Sequence, residues 1–291
     1  MNKFTENLQK KTVLVADGAT GTNLQQRGLL KGKAPESWVL EKPEEIIQLE
    51  KDFINAGADI ILTCTFGAST IRLAQNGIEK KPSEIIHTAV QLAKKAVNGK
   101  DVMIGGSIGP LGHMLKPFGD LDIEVAKENY QEQARAFKNA GVDFLIIETQ
   151  YDMNEVKIAI EACQIDSSLP IVCSFSYDRG TRTMMGLKPS QAACELANSG
   201  ISMIGINCGK SLEDNLKCLV ELRQSTQLPI WFKPNAGLPK VDESGNSTYS
   251  ISPEGMGQQV KQWISEGAIV VGGCCGTSPA HLEAIAKSAR Q

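Results

Sequence analysis

Four times along this chain a helix-length segment ends in a short phrase containing glycine and passes directly into an apolar run. The phrases are Asn55-Ala56-Gly57-Ala58-Asp59, Asn139-Ala140-Gly141-Val142-Asp143, Asn198-Ser199-Gly200-Ile201-Ser202 and Ser265-Glu266-Gly267-Ala268. Glycine at such a point lets the backbone turn left-handed, which ends a helix, and the run that follows reads as a buried strand. A repeated helix-to-strand joint constrains the fold strongly, because alternating helices and strands require a parallel sheet covered by helices.

Eight short β-branched or apolar runs fit the role of strands, at 13–16, 59–63, 102–106, 143–148, 170–175, 202–207, 229–233 and 268–271. Pro43, Pro189 and Pro253 mark helix starts, where the missing N–H costs nothing. Eight units with no linker between them predict one α/β domain over 1–291, a single (β/α)8 barrel, which typically needs about 250 residues. The stretch 239–252, with Asp242-Glu243-Ser244-Gly245-Asn246 at its centre, reads as a surface loop.

Apolar residues make up 42% of the chain, enough to bury a core without disulfides. The eight cysteines are too sparse for a stapled secreted framework, so some are free to act as ligands or nucleophiles. The net charge of -3 comes without a basic stripe, which argues against nucleic acid as a partner. No apolar run is long enough to span a bilayer and the first eleven residues are too polar for a signal peptide, so no membrane association and a cytoplasmic location are expected.

In barrels of this kind the reacting groups lie at the carboxyl ends of the strands. Asp17-Gly18, Thr65-Phe66-Gly67-Ala68, Ser107-Ile108-Gly109-Pro110, Glu148, Cys208, Pro234-Asn235-Ala236-Gly237 and Gly272-Gly273-Cys274-Cys275-Gly276 stand there. Cys208, Cys274 and Cys275 flank the tip of the seventh strand, and three sulfurs with one open position suit a catalytic zinc. Packing of the same cysteines as small apolar side chains is the competing reading. Cys64, Cys163, Cys173, Cys194 and Cys218 have no convergent positions and stay with packing. Neither Asp17-Gly18-Ala19-Thr20-Gly21 nor Gly105-Gly106-Ser107-Ile108-Gly109 matches a dinucleotide fingerprint. His87 and His281 fall in helical segments, and His113 lies in a loop, with Leu111 where a cobalamin-binding motif has Asp.

The phrases Asp17-Gly18-Ala19-Thr20-Gly21-Thr22, Gly57 through Ala68, Gly205-Ile206-Asn207-Cys208, Pro234-Asn235-Ala236-Gly237 and Gly272-Gly273-Cys274-Cys275-Gly276-Thr277-Ser278-Pro279 resemble the homocysteine-binding domain family. They look closest to the module found in cobalamin-dependent methionine synthase. The resemblance implies a homocysteine S-methyltransferase with one Zn2+ per chain on Cys208, Cys274 and Cys275. It further implies that Asp17 and Glu148 hold the substrate ammonium, and that free backbone amides at Phe66, Gly67 and Ala68 hold its carboxylate. Asn235 matches a position that approaches the metal when substrate is absent. Turn formation is the plain alternative for Asp17 and Asn235, and a loop salt bridge for Glu148.

The chain stops just after the last expected helix, so a separate methylcorrinoid protein docking over the strand ends is the expected methyl donor. A small sulfonium such as S-methylmethionine, or betaine, is the alternative. A vicinal Cys274-Cys275 disulfide in a redox protein, or a non-catalytic barrel that binds zinc or thiols, would be a function of another class. Gly209-Lys210-Ser211 and Lys233 depart from the family pattern, and other donors or small thiol acceptors fit those departures.

Overall fold

A computed structural model describes residues 2–10, 13–241 and 247–291. Each expected run is a strand: β1 (Leu14–Val15), β2 (Ile60–Leu62), β3 (Met103–Ile108), β4 (Phe144–Gln150), β5 (Ile171–Phe175), β6 (Met203–Cys208) and β7 (Ile230–Pro234). After β8 (Pro239–Val241) and β9 (Ser247–Tyr249), β10 (Ala268–Val271) supplies the eighth barrel strand. The order is β1-β10-β7-β6-β5-β4-β3-β2 with parallel pairing throughout. A parallel bridge between Ala16 and Ile60 joins the two ends, and the fold is a (β/α)8 barrel.

The glycine of every joint has positive φ, from 76° at Gly200 to 105° at Gly57, so the phrases do end helices as their composition demands. Pro43, Pro189 and Pro253 each open a helix, Pro43–Asn55, Pro189–Leu196 and Pro253–Ser265. Strand ends shift from expectation by one or two residues, as at β4, which runs on to Gln150, and two differences bear on the site. β3 runs on to Ile108, because pairing with β4 continues to Ile108↔Ile147, and this keeps Ser107 inside the barrel wall. The stretch read as a loop is in part an antiparallel hairpin, β8 against β9, while residues 242–246 lie outside those described. Turn-forming composition at the centre of a segment is also what a hairpin connection requires.

The apolar side chains form two layers. One lies between the strands and the surrounding helices, and the other fills the barrel with Ile60, Met103, Phe144, Val172, Met203 and Trp231. The amino-terminal helix, Lys3–Gln9, closes the bottom of this inner layer. Asn2 and Lys3 donate to the carbonyls of Asp143 and Val102 at the starts of β4 and β3, and the fully buried Phe4 ring stacks on Phe144 at 4.2 Å. Phe4→Leu keeps most of the volume but loses the ring contact, and is expected to cost about 1 kcal/mol in denaturant unfolding. An unchanged midpoint would mean that the helix does not plug the folded barrel in solution.

Candidate metal centre and substrate pocket

Packing the bottom with aromatic rings leaves the carboxyl ends of the strands to form the site. β6 ends at Cys208, whose φ of 55° is rare for a non-glycine residue and is followed by Gly209 at 80°. This sharp bend, together with the loop after β10, brings three thiols together. The Cys208 sulfur lies 2.9 Å from that of Cys274 and 4.0 Å from that of Cys275, and all three fall within 4.8 Å of one another. Glycine flanks are required here: a Cβ at Gly273 would meet the Thr277 side chain at 2.3 Å, and one at Gly276 would meet the Tyr249 ring at 2.2 Å. Hydrogen bonds from the thiols of Cys208 and Cys274 hold Cys275 well below the ordinary thiol range. Contacts with Cys274 and then Cys275, with burial added, push Cys208 up.

Two asparagines tie the cysteine loops in place. The fully buried Asn207 accepts from the Thr149 amide and the Ser174 hydroxyl, donates to the Thr149 hydroxyl, and reaches the Cys274 sulfur at 3.8 Å. Asn235 donates to the Gly209 carbonyl and accepts from the Cys275 amide, both at 2.9 Å. Its side chain thus links the two cysteine loops. The ring of Tyr249, on β9, packs against Gly276, the neighbour of Cys275. Neither Asn207 nor Tyr249 was singled out from sequence, although Asn207 lies inside a quoted motif; Tyr249 carried no signal, because its segment read as a plain loop.

The thiols form one wall of a cavity of about 600 Å³ whose lining also includes Asp17, Glu148 and Lys233. Glu148 accepts a 2.5 Å hydrogen bond from Ser107, and Asp17 accepts one of 2.7 Å from the Leu62 amide. Burial, only partly offset by Lys233, raises the Glu148 carboxyl to about 7. Lys233 is buried and its ammonium lies 2.5 Å from Asp17. Burial would lower the Lys233 pKa, but the charges of Asp17 and then Glu148 outweigh it and keep the ammonium protonated. The two expected acidic residues therefore do converge, with a cation between them that sequence reasoning recorded only as a departure.

The expectation of three free amides at Phe66, Gly67 and Ala68 needs correction. The Gly67 amide donates to the buried carboxylate of Glu36 at 2.6 Å, and the Ala68 amide to the Thr65 carbonyl at 3.0 Å. A backbone N–H buried in a wall seeks a partner, and Glu36, carried in by the turn Pro35–Ser37, supplies one. Phe66 and Gly67 nevertheless line the cavity. Among the described residues Cys208, Cys274 and Cys275 form the one cluster able to hold a metal, and Cys64, Cys163, Cys173 and Cys218 are buried elsewhere. His281 bonds within its own helix start and to the Ile251 carbonyl, and His113 pairs with Asp120 in its loop.

The family model described as homocysteine S-methyltransferase matches residues 14–289. The chain belongs to this family. Similar curated proteins include the methionine synthases of Mycobacterium leprae and Mycobacterium tuberculosis, 27% and 26% identical over 94% of this chain. The chain spans about a quarter of their length, the share covered being 24%. The crystal structure of the homocysteine methyltransferase MmuM from Escherichia coli in its metallated form superposes with a TM-score of 0.84 at 25% identity, covering 100% of both chains. Its apo form matches at a TM-score of 0.77.

Proposed function

We propose that this barrel, acting as a single domain, transfers a methyl group to the sulfur of homocysteine to give methionine, with one zinc ion held by Cys208, Cys274 and Cys275. The observation that carries the reading is the convergence of three thiols on a cavity that also presents buried acidic groups. The donor set suits zinc: three sulfurs meet on glycine-flanked loops, and the fourth side opens on the cavity. A metallated form of MmuM agrees with that fit. When bound, zinc would ionise an acceptor thiol that is otherwise only a few per cent thiolate at neutral pH.

The chain's own groups orient the acceptor. Glu148, fixed by Ser107, takes the ammonium, and this directs the substrate's sulfur toward the cysteine wall. Asn207 and Asn235 hold the cysteine loops at the spacing that a metal needs. A vicinal disulfide would leave Cys208, which lies 2.9 Å from Cys274, without purpose.

For the donor we infer a methylcorrinoid on a separate carrier protein. Exposed apolar side chains gather on loops that follow barrel strands, Leu30, Met114, Phe118, Met184, Met185 and Leu238, a surface suited to docking. Likeness to proteins named methionine synthase supports this reading. Direct use of a small sulfonium is the second reading, favoured by the full-length match to MmuM. Homocysteine offered in parallel with a methylated corrinoid protein, methylcobalamin, S-methylmethionine and betaine decides between them. Methionine is expected from the corrinoid donors. Strong turnover with S-methylmethionine and none with either corrinoid would overturn the donor and leave the acceptor site standing.

A further inference from the structure

Lys233 is a charged residue at the end of a strand otherwise built from Ile230, Trp231 and Phe232. Alternation along β7 turns Trp231 and Lys233 to the barrel interior, where the ammonium stands 5.8 Å from the centre of the Trp231 ring. Only 4% of its side chain is accessible, and 3% of that of Asp17. Burying an ion pair this fully is costly unless its geometry is good. Here it is: one Asp17 oxygen faces Lys233 and the other accepts the Leu62 amide at 2.7 Å. Glu148 differs. Ser107 occupies its Oε1, and among the described residues its Oε2 has no protein hydrogen-bond partner, although Glu148 lines the cavity.

We propose that Lys233 is a specificity-determining residue, which by engaging Asp17 withdraws one of two carboxylates from the ammonium subsite and leaves Glu148 alone to read the acceptor's amino group. The inference rests on the reading of this cavity as an amino-acid thiol site. Asp17, Glu148 and Lys233 together carry one net negative charge when all are ionised, and one substrate ammonium neutralises it. Without the lysine the same subsite would hold two unopposed carboxylates and discriminate more strongly against a thiol lacking the ammonium.

The test compares dissociation constants for homocysteine and 4-mercaptobutanoate, the same thiol acid with hydrogen in place of the amino group, by calorimetry on the metal-loaded protein. The ratio of the two constants reads the ammonium alone. Lys233→Met is expected to raise the preference for homocysteine by about tenfold, the scale of one charged hydrogen bond. Lys233→Met combined with Asp17→Asn should bring it back near the wild-type value, which a merely structural role would not do. Glu148→Gln should collapse the preference, and Asp17→Asn in the wild-type background should lower it by about tenfold, because the buried ammonium then faces Glu148 alone. If Lys233→Met fails to fold, the return of the preference from Asp17→Asn to the double variant still decides. An unchanged preference in Asp17→Asn, or no rise in Lys233→Met, overturns the role of Lys233. No preference in wild type, or none lost in Glu148→Gln, would instead overturn the amino-acid reading on which the inference rests.

Discussion

Cys274→Ser is expected to lose most of the metal that the wild-type chain retains at one zinc per chain. Serine keeps the size of the side chain and removes the thiolate, so the loss would report ligation and not packing. Altering groups behind a ligand already costs 10–100-fold in metal affinity, so removing a ligand should cost more than about 100-fold. Methyl transfer should fall by about 30-fold at neutral pH, because the acceptor thiol then relies on its own ionised fraction of a few per cent. Cys208→Ser and Cys275→Ser should behave alike, since all three sulfurs lie within 4.8 Å of one another. Cys163→Ser, far from the cluster and buried, is the control that should keep its zinc. Equal zinc in wild type and Cys274→Ser, or none in wild type purified reduced and without chelator, would sink the site.

What could be read from the sequence follows the range of the interactions involved. The joint glycines act within a few residues of themselves, so the strands and their barrel order were legible from phrases such as the one around Gly57. The three cysteines were legible because barrel topology alone sends the ends of β6 and β10 to neighbouring places beside β7. Interactions between residues far apart in sequence were not. The partner of Lys233 lies 216 positions away, and that of the Gly67 amide is a carboxylate 31 positions away on an unremarked turn. Phe4 shows the same limit at the bottom of the barrel. Its segment is polar overall, and only tertiary contact with Phe144 reveals a plug.

Glu148→Gln carries the other large effect, and its dependence on pH is as informative as its size. At pH 8 the wild-type carboxylate is ionised and ready for the substrate ammonium, so the amide should weaken homocysteine binding by about 1–3 kcal/mol, roughly 5–150-fold. Below about 7, the range to which burial first of all raises this carboxyl, the wild-type group holds a proton that the substrate must displace. Wild-type affinity should therefore approach that of the variant as pH falls toward 5.5. Ionisation of the substrate thiol affects both proteins equally, so the ratio of their dissociation constants isolates Glu148. Folding responds with the opposite sign. A carboxyl whose folded pKa exceeds its unfolded value binds more protons in the native state, so its contribution to stability falls as pH rises from about 4.5 to about 7. In Glu148→Gln that fall should be absent from denaturant unfolding of the metal-free protein. Parallel binding profiles for the two proteins from pH 5.5 to 8 would place the substrate ammonium somewhere other than on Glu148.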